Sequence, residues 1–116
     1  MKSHKDLVVW KNAISLVTAI YVASQEFPSS ECYGLTSQIR RAAVSVPSNI
    51  AEGAARGSKK EFTRFLRIAL GSLSEIETQL LIAANLTYLN DTEELDAEIT
   101  QIRKMLLGLI RNLKSE

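Results

Sequence analysis

Residues 57–86 read GSKKEFTRFLRIALGSLSEIETQLLIAANL, and this stretch decides the fold. Gly57 is a residue on which a helix can end, and Ser58-Lys59-Lys60-Glu61 then has the Ser-x-x-Glu pattern of a capping box. Beyond it, Phe62, Leu66, Ala69, Leu73, Ile76, Leu80 and Ala83 recur at alternating spacings of four and three, a near-unbroken heptad stripe. The pattern predicts a helix to about Leu86, on the order of 40 Å long at ~1.5 Å per residue. Gly71 in mid-helix costs about 1 kcal/mol against alanine, so a close helix crossing is expected there.

Working upstream, about Glu31 to Arg56 places Leu35, Ile39, Ala42, Val46 and either Asn49 or Ile50 on one side of a second helix. Pro47 interrupts it by removing a backbone donor and crowding the preceding turn, so a kink or restart is expected between Ser45 and Asn49, with Ser45 or Val46 as the new cap. The part after Pro47 is rich in small residues (Ala51, Gly53, Ala54, Ala55), which lets another backbone approach closely. The short turn at Gly57 makes this helix and the next antiparallel neighbours. Upstream again, about Asp6 to Glu26 carries two apolar stripes: Leu7, Trp10, Ile14, Val17 and Tyr21, and also Val9, Ala13, Leu16, Ile20 and Ala23. Two stripes are more than one bundle core needs. Phe27-Pro28-Ser29-Ser30 ends this helix. Downstream of Asn90-Asp91-Thr92, with Asp91-x-x-Glu94 as a second candidate box, Leu95, Ile99, Ile102, Leu106, Leu109 and Leu113 mark the last helix.

No stretch alternates with period two, so the expected fold is all-α, an antiparallel up-and-down four-helix bundle with its second helix kinked near Pro47. At 116 residues, 46% hydrophobic and 23% charged, the chain suits one domain over 1–116 with one core. The longest apolar run, Leu80 to Ala84, is far below the roughly 20 residues that cross a bilayer, and the polar start, Met1 to Asp6, is no signal peptide. A cytoplasmic protein without a membrane role is expected.

Chemistry-bearing side chains are sparse. One cysteine, Cys32, and one histidine, His4, make neither a disulfide nor a Cys/His metal site, and Cys32 reads as a small, partly buried core residue. His4 lies in a segment expected to fray, away from any nucleophile it could activate. Glu75 and Glu77, two apart, point away from each other on a helix and read as solvated charges or ion pairs. Glu52 precedes Arg56 by four, the favourable orientation for a helical ion pair. Gly53-x-x-x-Gly57 without a strand or a Gly-Lys-Ser/Thr is no phosphate loop. Neither catalysis nor a metal nor a cofactor is expected.

Charge is uneven although the net is only +1. From Arg40 to Arg67 there are seven bases (Arg40, Arg41, Arg56, Lys59, Lys60, Arg64, Arg67) against two acids (Glu52, Glu61), a local balance of +5. From Glu75 to Glu98 seven acids stand without a base. Lys60, Arg64 and Arg67, spaced four and three apart, fall opposite the core stripe and share one exposed helix face. Two readings stand: solvated charges paired with the acidic region, or a surface that neutralises nucleic-acid phosphates. Phe62 and Phe65 are assigned to the core or an interface rather than to base stacking.

The run Gln38-Ile39-Arg40-Arg41-Ala42-Ala43-Val44-Ser45-Val46-Pro47-Ser48-Asn49-Ile50-Ala51-Glu52-Gly53 closely resembles the signature of the four-helix-bundle proteins encoded in intervening sequences of bacterial 23S ribosomal RNA genes, also labelled S23 ribosomal proteins. The likeness extends to Trp10, Phe27-Pro28, Tyr33-Gly34-Leu35, Arg56, Ser58, Glu61-Phe62, Phe65-Leu66 and Gly71-Ser72-Leu73 to Glu75, while the last helix is generic. The resemblance implies a left-handed up-and-down bundle and a homopentamer. It further implies similarity to the accessory variability protein of diversity-generating retroelements, which binds nucleic acid through a basic surface and works with a reverse transcriptase.

The functional expectation is a non-enzymatic homo-oligomer that binds RNA or DNA through residues 56 to 67 with Arg40 and Arg41. The alternative is a protein assembly module whose basic and acidic regions pair between subunits. Pro47, Asn49, Glu52 and Gly53 are expected to form a structural motif, the polar groups of Arg40, Arg41, Asn49 and Glu52 satisfying the kink.

Overall fold

The Ser58 hydroxyl accepts the backbone N–H of Glu61 at 3.1 Å, supplying one of the donors that a helix start leaves open. The box is half formed, since the Glu61 carboxylate lies 3.4 Å from Arg64 Nε. From this cap the computed structural model, which describes residues 3–115, runs a helix over Lys59–Asn85. Met1, Lys2 and Glu116, included in the expected domain, lie outside the described residues.

Four α-helices are found among the described residues: α1 (Val8–Ser24), α2 (Leu35–Ala55), α3 (Lys59–Asn85) and α4 (Glu93–Ser115), with short 3₁₀ turns at His4–Asp6 and Ser29–Glu31. Each helix packs on its two sequence neighbours in a ring, α4 closing onto α1, while the backbones of the diagonal pairs stay apart. The result is an up-and-down four-helix bundle 46 Å long and 24 by 19 Å across.

The α2–α3 pair is the most extensive, and its contacts reveal its direction. Gly53 faces Phe65, Ser45 bonds Ser72 at 2.8 Å, and Gln38 and Arg41 share a groove with Gln79 and Glu75. Numbers fall along one helix as they rise along the other, so the two run antiparallel.

One apolar cluster joins all four helices. Every residue of the α3 stripe is buried, and α1 turns Val9, Ala13, Leu16 and Ile20 inward. In α4 the buried set is Leu95, Ile99, Ile102, Leu106 and Ile110, while the expected Leu109 and Leu113 are only partly buried. A helix of 3.6 residues per turn drifts from a strict 3.5 repeat, and by the fifth member the next inward position is four residues on.

The expected restart at Pro47 does not occur: α2 is continuous through it and Ser45 is no cap. Pro47 withholds an N–H from the turn, and Asn49 Nδ2 donates into that same turn, to the Ser45 carbonyl at 2.7 Å and the Ser45 hydroxyl at 2.8 Å. At its N-terminus α2 begins at Leu35 rather than near Glu31. Gly34 caps it without a side chain, and the Glu31 carboxylate accepts the Leu35 N–H instead, at 3.0 Å. In the last loop Asp91 accepts the Glu93 N–H at 2.9 Å, in place of the box expected from Asp91 to Glu94.

Two glycines have opposite roles. A Cβ on Gly53 would meet Phe65 Cβ at 2.7 Å and the Phe62 carbonyl oxygen at 3.3 Å, so α2 crosses α3 where only glycine fits. Gly71, expected to mark such a crossing, is exposed with nothing within 4 Å of a built Cβ. Cys32, expected to be partly buried, is exposed as well, because the chain around it forms the loop between α1 and α2. Among the described residues no helix is long and apolar enough to cross a membrane.

Candidate nucleic-acid interface

At the junction of α2 and α3 the chain reverses through Gly57, whose φ of +79° is a conformation glycine adopts without strain. Arg56 ends α2, Lys59 opens α3, and Lys60, Arg64 and Arg67 follow on the outward face of α3, all exposed. Phe65, buried among them, anchors the group: Arg56 lies 5.0 Å and Arg64 4.8 Å from its ring centroid. Arg56 also pairs with Glu52 at 2.8 Å. Lys60 and Arg67 have no hydrogen bond or ion pair among the described residues. Because its ring is buried under two guanidinium groups, Phe65 offers no open face for base stacking.

Arg40 and Arg41 are not part of this surface. They stand some 15 residues earlier on α2, about 22 Å away along the helix. Arg40 is turned to α1: its Nε donates to the Ser24 hydroxyl at 2.8 Å, a second nitrogen donates to the Tyr21 carbonyl at 3.3 Å, and the guanidinium lies 4.6 Å from the Tyr21 ring centroid. A cation thereby covers the C-terminal end of α1, where the helix dipole favours it. Arg41 is exposed beside Glu75 and Gln79 in the α2–α3 groove.

The structural motif divides in the same way. Pro47 and Asn49 lie in the continuous turn of α2, Gly53 admits Phe65, and Glu52 pairs with Arg56 rather than serving the Pro47 turn. Glu77 is held by a two-pronged contact from Arg103 of α4, one arm at 3.2 Å. His4 opens the first 3₁₀ turn, and its ring packs edge-on against Trp10, with centroids 5.1 Å apart. Among the described residues no three His, Cys, Asp or Glu side chains are grouped to hold a metal.

One polar contact was not anticipated. Besides the Leu35 N–H, the Glu31 carboxylate accepts the Tyr88 hydroxyl at 2.9 Å, and the Tyr88 ring packs 5.7 Å from Phe27. The contact ties the first interhelical loop to the last. The Leu35 N–H, then Tyr88, hold the Glu31 carboxyl below its ordinary value, and Glu31 in turn raises the Tyr88 phenol. An acid three residues ahead of a helix-opening glycine was the available signal, but its partner is 57 residues away.

The sequence model described as 23S rRNA-intervening sequence protein matches residues 5–108. The chain belongs to that family. Among solved structures, a protein of unknown function from the S23 ribosomal protein family of Bacteroides thetaiotaomicron is similar at 24% identity over 90% of this chain and 96% of its own, with a TM-score of 0.81. That likeness carries the fold. No curated protein matches. In this intervening-sequence protein the central run from Gln38 to Gly53 is largely occupied with holding the bundle: Arg40 on α1, Ser45 and Asn49 around Pro47, and Gly53 on α3.

Proposed function

We propose that this intervening-sequence protein is a non-enzymatic, homo-oligomeric bundle that binds RNA or DNA through the basic end formed by Arg56, Lys59, Lys60, Arg64 and Arg67. The observation that carries this reading is the exposure of Lys60 and Arg67 without a carboxylate partner among the described residues, on the face that also presents Arg64. Phosphates supply the missing counter-charge, and repetition of the patch in an oligomer multiplies the contacts. With no open aromatic beside the patch, binding follows the backbone and not the base sequence.

The test is a salt titration of binding to a short duplex, comparing the wild type with Lys60→Glu/Arg64→Glu/Arg67→Glu. Affinity falls steeply with salt in the wild type, and the variant loses at least about tenfold and flattens the slope by ~2 to 3, one unit per phosphate contact removed. Salt-independent affinity, or a variant that binds like the wild type, overturns the reading.

A second reading, a protein assembly module, draws support from the outer stripe of α1, where Ile14 and Tyr21 are exposed beside Val44 of α2. Dissociation of subunits by salt, with no nucleic-acid affinity, favours it.

A further inference from the structure

Tyr33 is 97% exposed, yet the loop that carries it is tied down on both sides. The Cys32 N–H bonds the Ser29 carbonyl at 3.1 Å and the Gly34 N–H bonds the Glu31 carbonyl at 2.9 Å, while the Glu31 carboxylate holds the Leu35 N–H and the Tyr88 hydroxyl. Neither the ring nor the hydroxyl of Tyr33 is engaged among the described residues. The ring borders a groove of about 540 Å³ whose walls include Tyr21, Thr36, Ser37, Arg40 and Arg41 and, among the described residues, no carboxylate. Arg40 is committed to α1, its guanidinium covering the Tyr21 ring. Arg41 has no hydrogen bond or ion pair among the described residues, Glu75 lying in the adjoining groove. The Thr36 and Ser37 hydroxyls have no partner there either.

We infer that this groove takes a nucleotide from a single-stranded stretch of RNA or DNA, its base stacked on the Tyr33 ring and its phosphate on Arg41, with the Thr36 and Ser37 hydroxyls as further donors. This rests on the nucleic-acid reading above and adds to it a contact that a fully paired duplex does not make. Two features select the occupant. The open aromatic face accepts any unpaired base, and a cation and two donors with no acid among them match a phosphate. An acidic peptide uses the arginine and leaves the ring bare, and the open walls do not enclose a free small molecule. Arg41 precedes Arg56 by 15 residues on α2, about 22 Å along the helix and about 60° around it, so one strand running down this side of the bundle reaches the groove from the basic end.

Fluorescence anisotropy tests this with three probes: a blunt duplex, the same duplex with a single-stranded overhang of about ten nucleotides, and that overhang without its bases. In the wild type the overhang tightens binding about tenfold or more, and the overhang without bases by less. Tyr33→Ala, a change well outside the core, removes what the bases add and keeps the blunt-duplex affinity. Tyr33→Phe, which keeps the ring, restores it. Arg41→Gln lowers the salt slope of the overhang complex by ~0.7, one single-strand phosphate, and leaves the blunt-duplex slope unchanged. A wild type that binds no probe overturns the nucleic-acid reading and this inference together. Binding that is equal for blunt and overhang probes, or an overhang gain that survives in Tyr33→Ala, overturns the inference alone. Tyr33-dependent binding of the overhang with none of the blunt duplex supports the groove and overturns the basic end. Adenosine monophosphate bound as tightly as the overhang, and lost in Tyr33→Ala, makes the occupant a free nucleotide and overturns the single-stranded one.

Discussion

A Cβ built on Gly53 lies 2.7 Å from the Cβ of Phe65, a separation that real side chains essentially never show. Phe62 Cδ1 at 3.1 Å and the Phe62 carbonyl oxygen at 3.3 Å close the other sides, so relief requires α2 and α3 to move apart. Gly53→Ala is expected to destabilise the bundle by about 1 to 3 kcal/mol, the usual cost of overpacking, read by urea denaturation.

Gly71→Ala gives the opposite sign. With nothing within 4 Å of its Cβ, the substitution removes a mid-helix glycine at no steric cost and stabilises α3 by about 0.5 to 1 kcal/mol. Equal effects at the two glycines in the same denaturation series would refute the packing described for α2 and α3.

Arg40→Met separates a structural arginine from a binding one. The change removes two hydrogen bonds and a cation–aromatic contact at the end of α1, for an expected loss of about 1 to 3 kcal/mol in stability. Ser24, 3% exposed, is left without that donor. Nucleic-acid affinity, measured below the unfolding transition, stays at the wild-type value.

Glu31 and Tyr88 give the bundle a pH signature. A carboxyl whose folded value lies below its ordinary 4.5 stabilises fully above that pH and loses the contribution as pH falls through the folded value. A phenol raised above its ordinary 10.0 stabilises fully below that pH and loses the contribution as pH rises through the folded value. Thermal midpoints of Tyr88→Phe therefore vary less than the wild type at both ends of the scale. The acid end retains part of its slope, because the Leu35 N–H still holds Glu31.

The helices were legible where local chemistry decides them. Ser58 caps α3 from three residues away, and the Phe62-to-Ala83 stripe needs only helical geometry to face inward. What failed depended on neighbours distant in sequence. Gly53 and Gly71 are the same residue on helices, and only the presence of Phe65 distinguishes them. Nothing local indicated that Val9, Ala13, Leu16 and Ile20, rather than Ile14 and Tyr21, would turn inward. At the candidate interface, Lys60, Arg64 and Arg67 share a face by helical spacing alone, so sequence sufficed. The separation of Arg40 from that patch was hidden, because it depends on Ser24 and Tyr21 across a loop.

Thr87 adds a strain that sequence did not signal. With φ at +64° it ends α3 as a left-handed residue, while its N–H bonds the Ala84 carbonyl at 3.0 Å and the Tyr88 N–H bonds Ala83 at 2.8 Å, the pairing of a Schellman cap. A β-branched side chain is poorly suited there. Thr87→Asn is expected to raise stability by about 0.5 to 1 kcal/mol in thermal denaturation, since asparagine tolerates that conformation better.

The most direct measurement of the proposed role is light scattering on size-exclusion eluate, with and without structured RNA, at low and moderate salt. An assembly of several 12.9 kDa chains that co-elutes with RNA at low salt and releases it at moderate salt is the expected result. A single chain that elutes at the same mass with or without RNA at either salt contradicts both the homo-oligomer and the nucleic-acid surface.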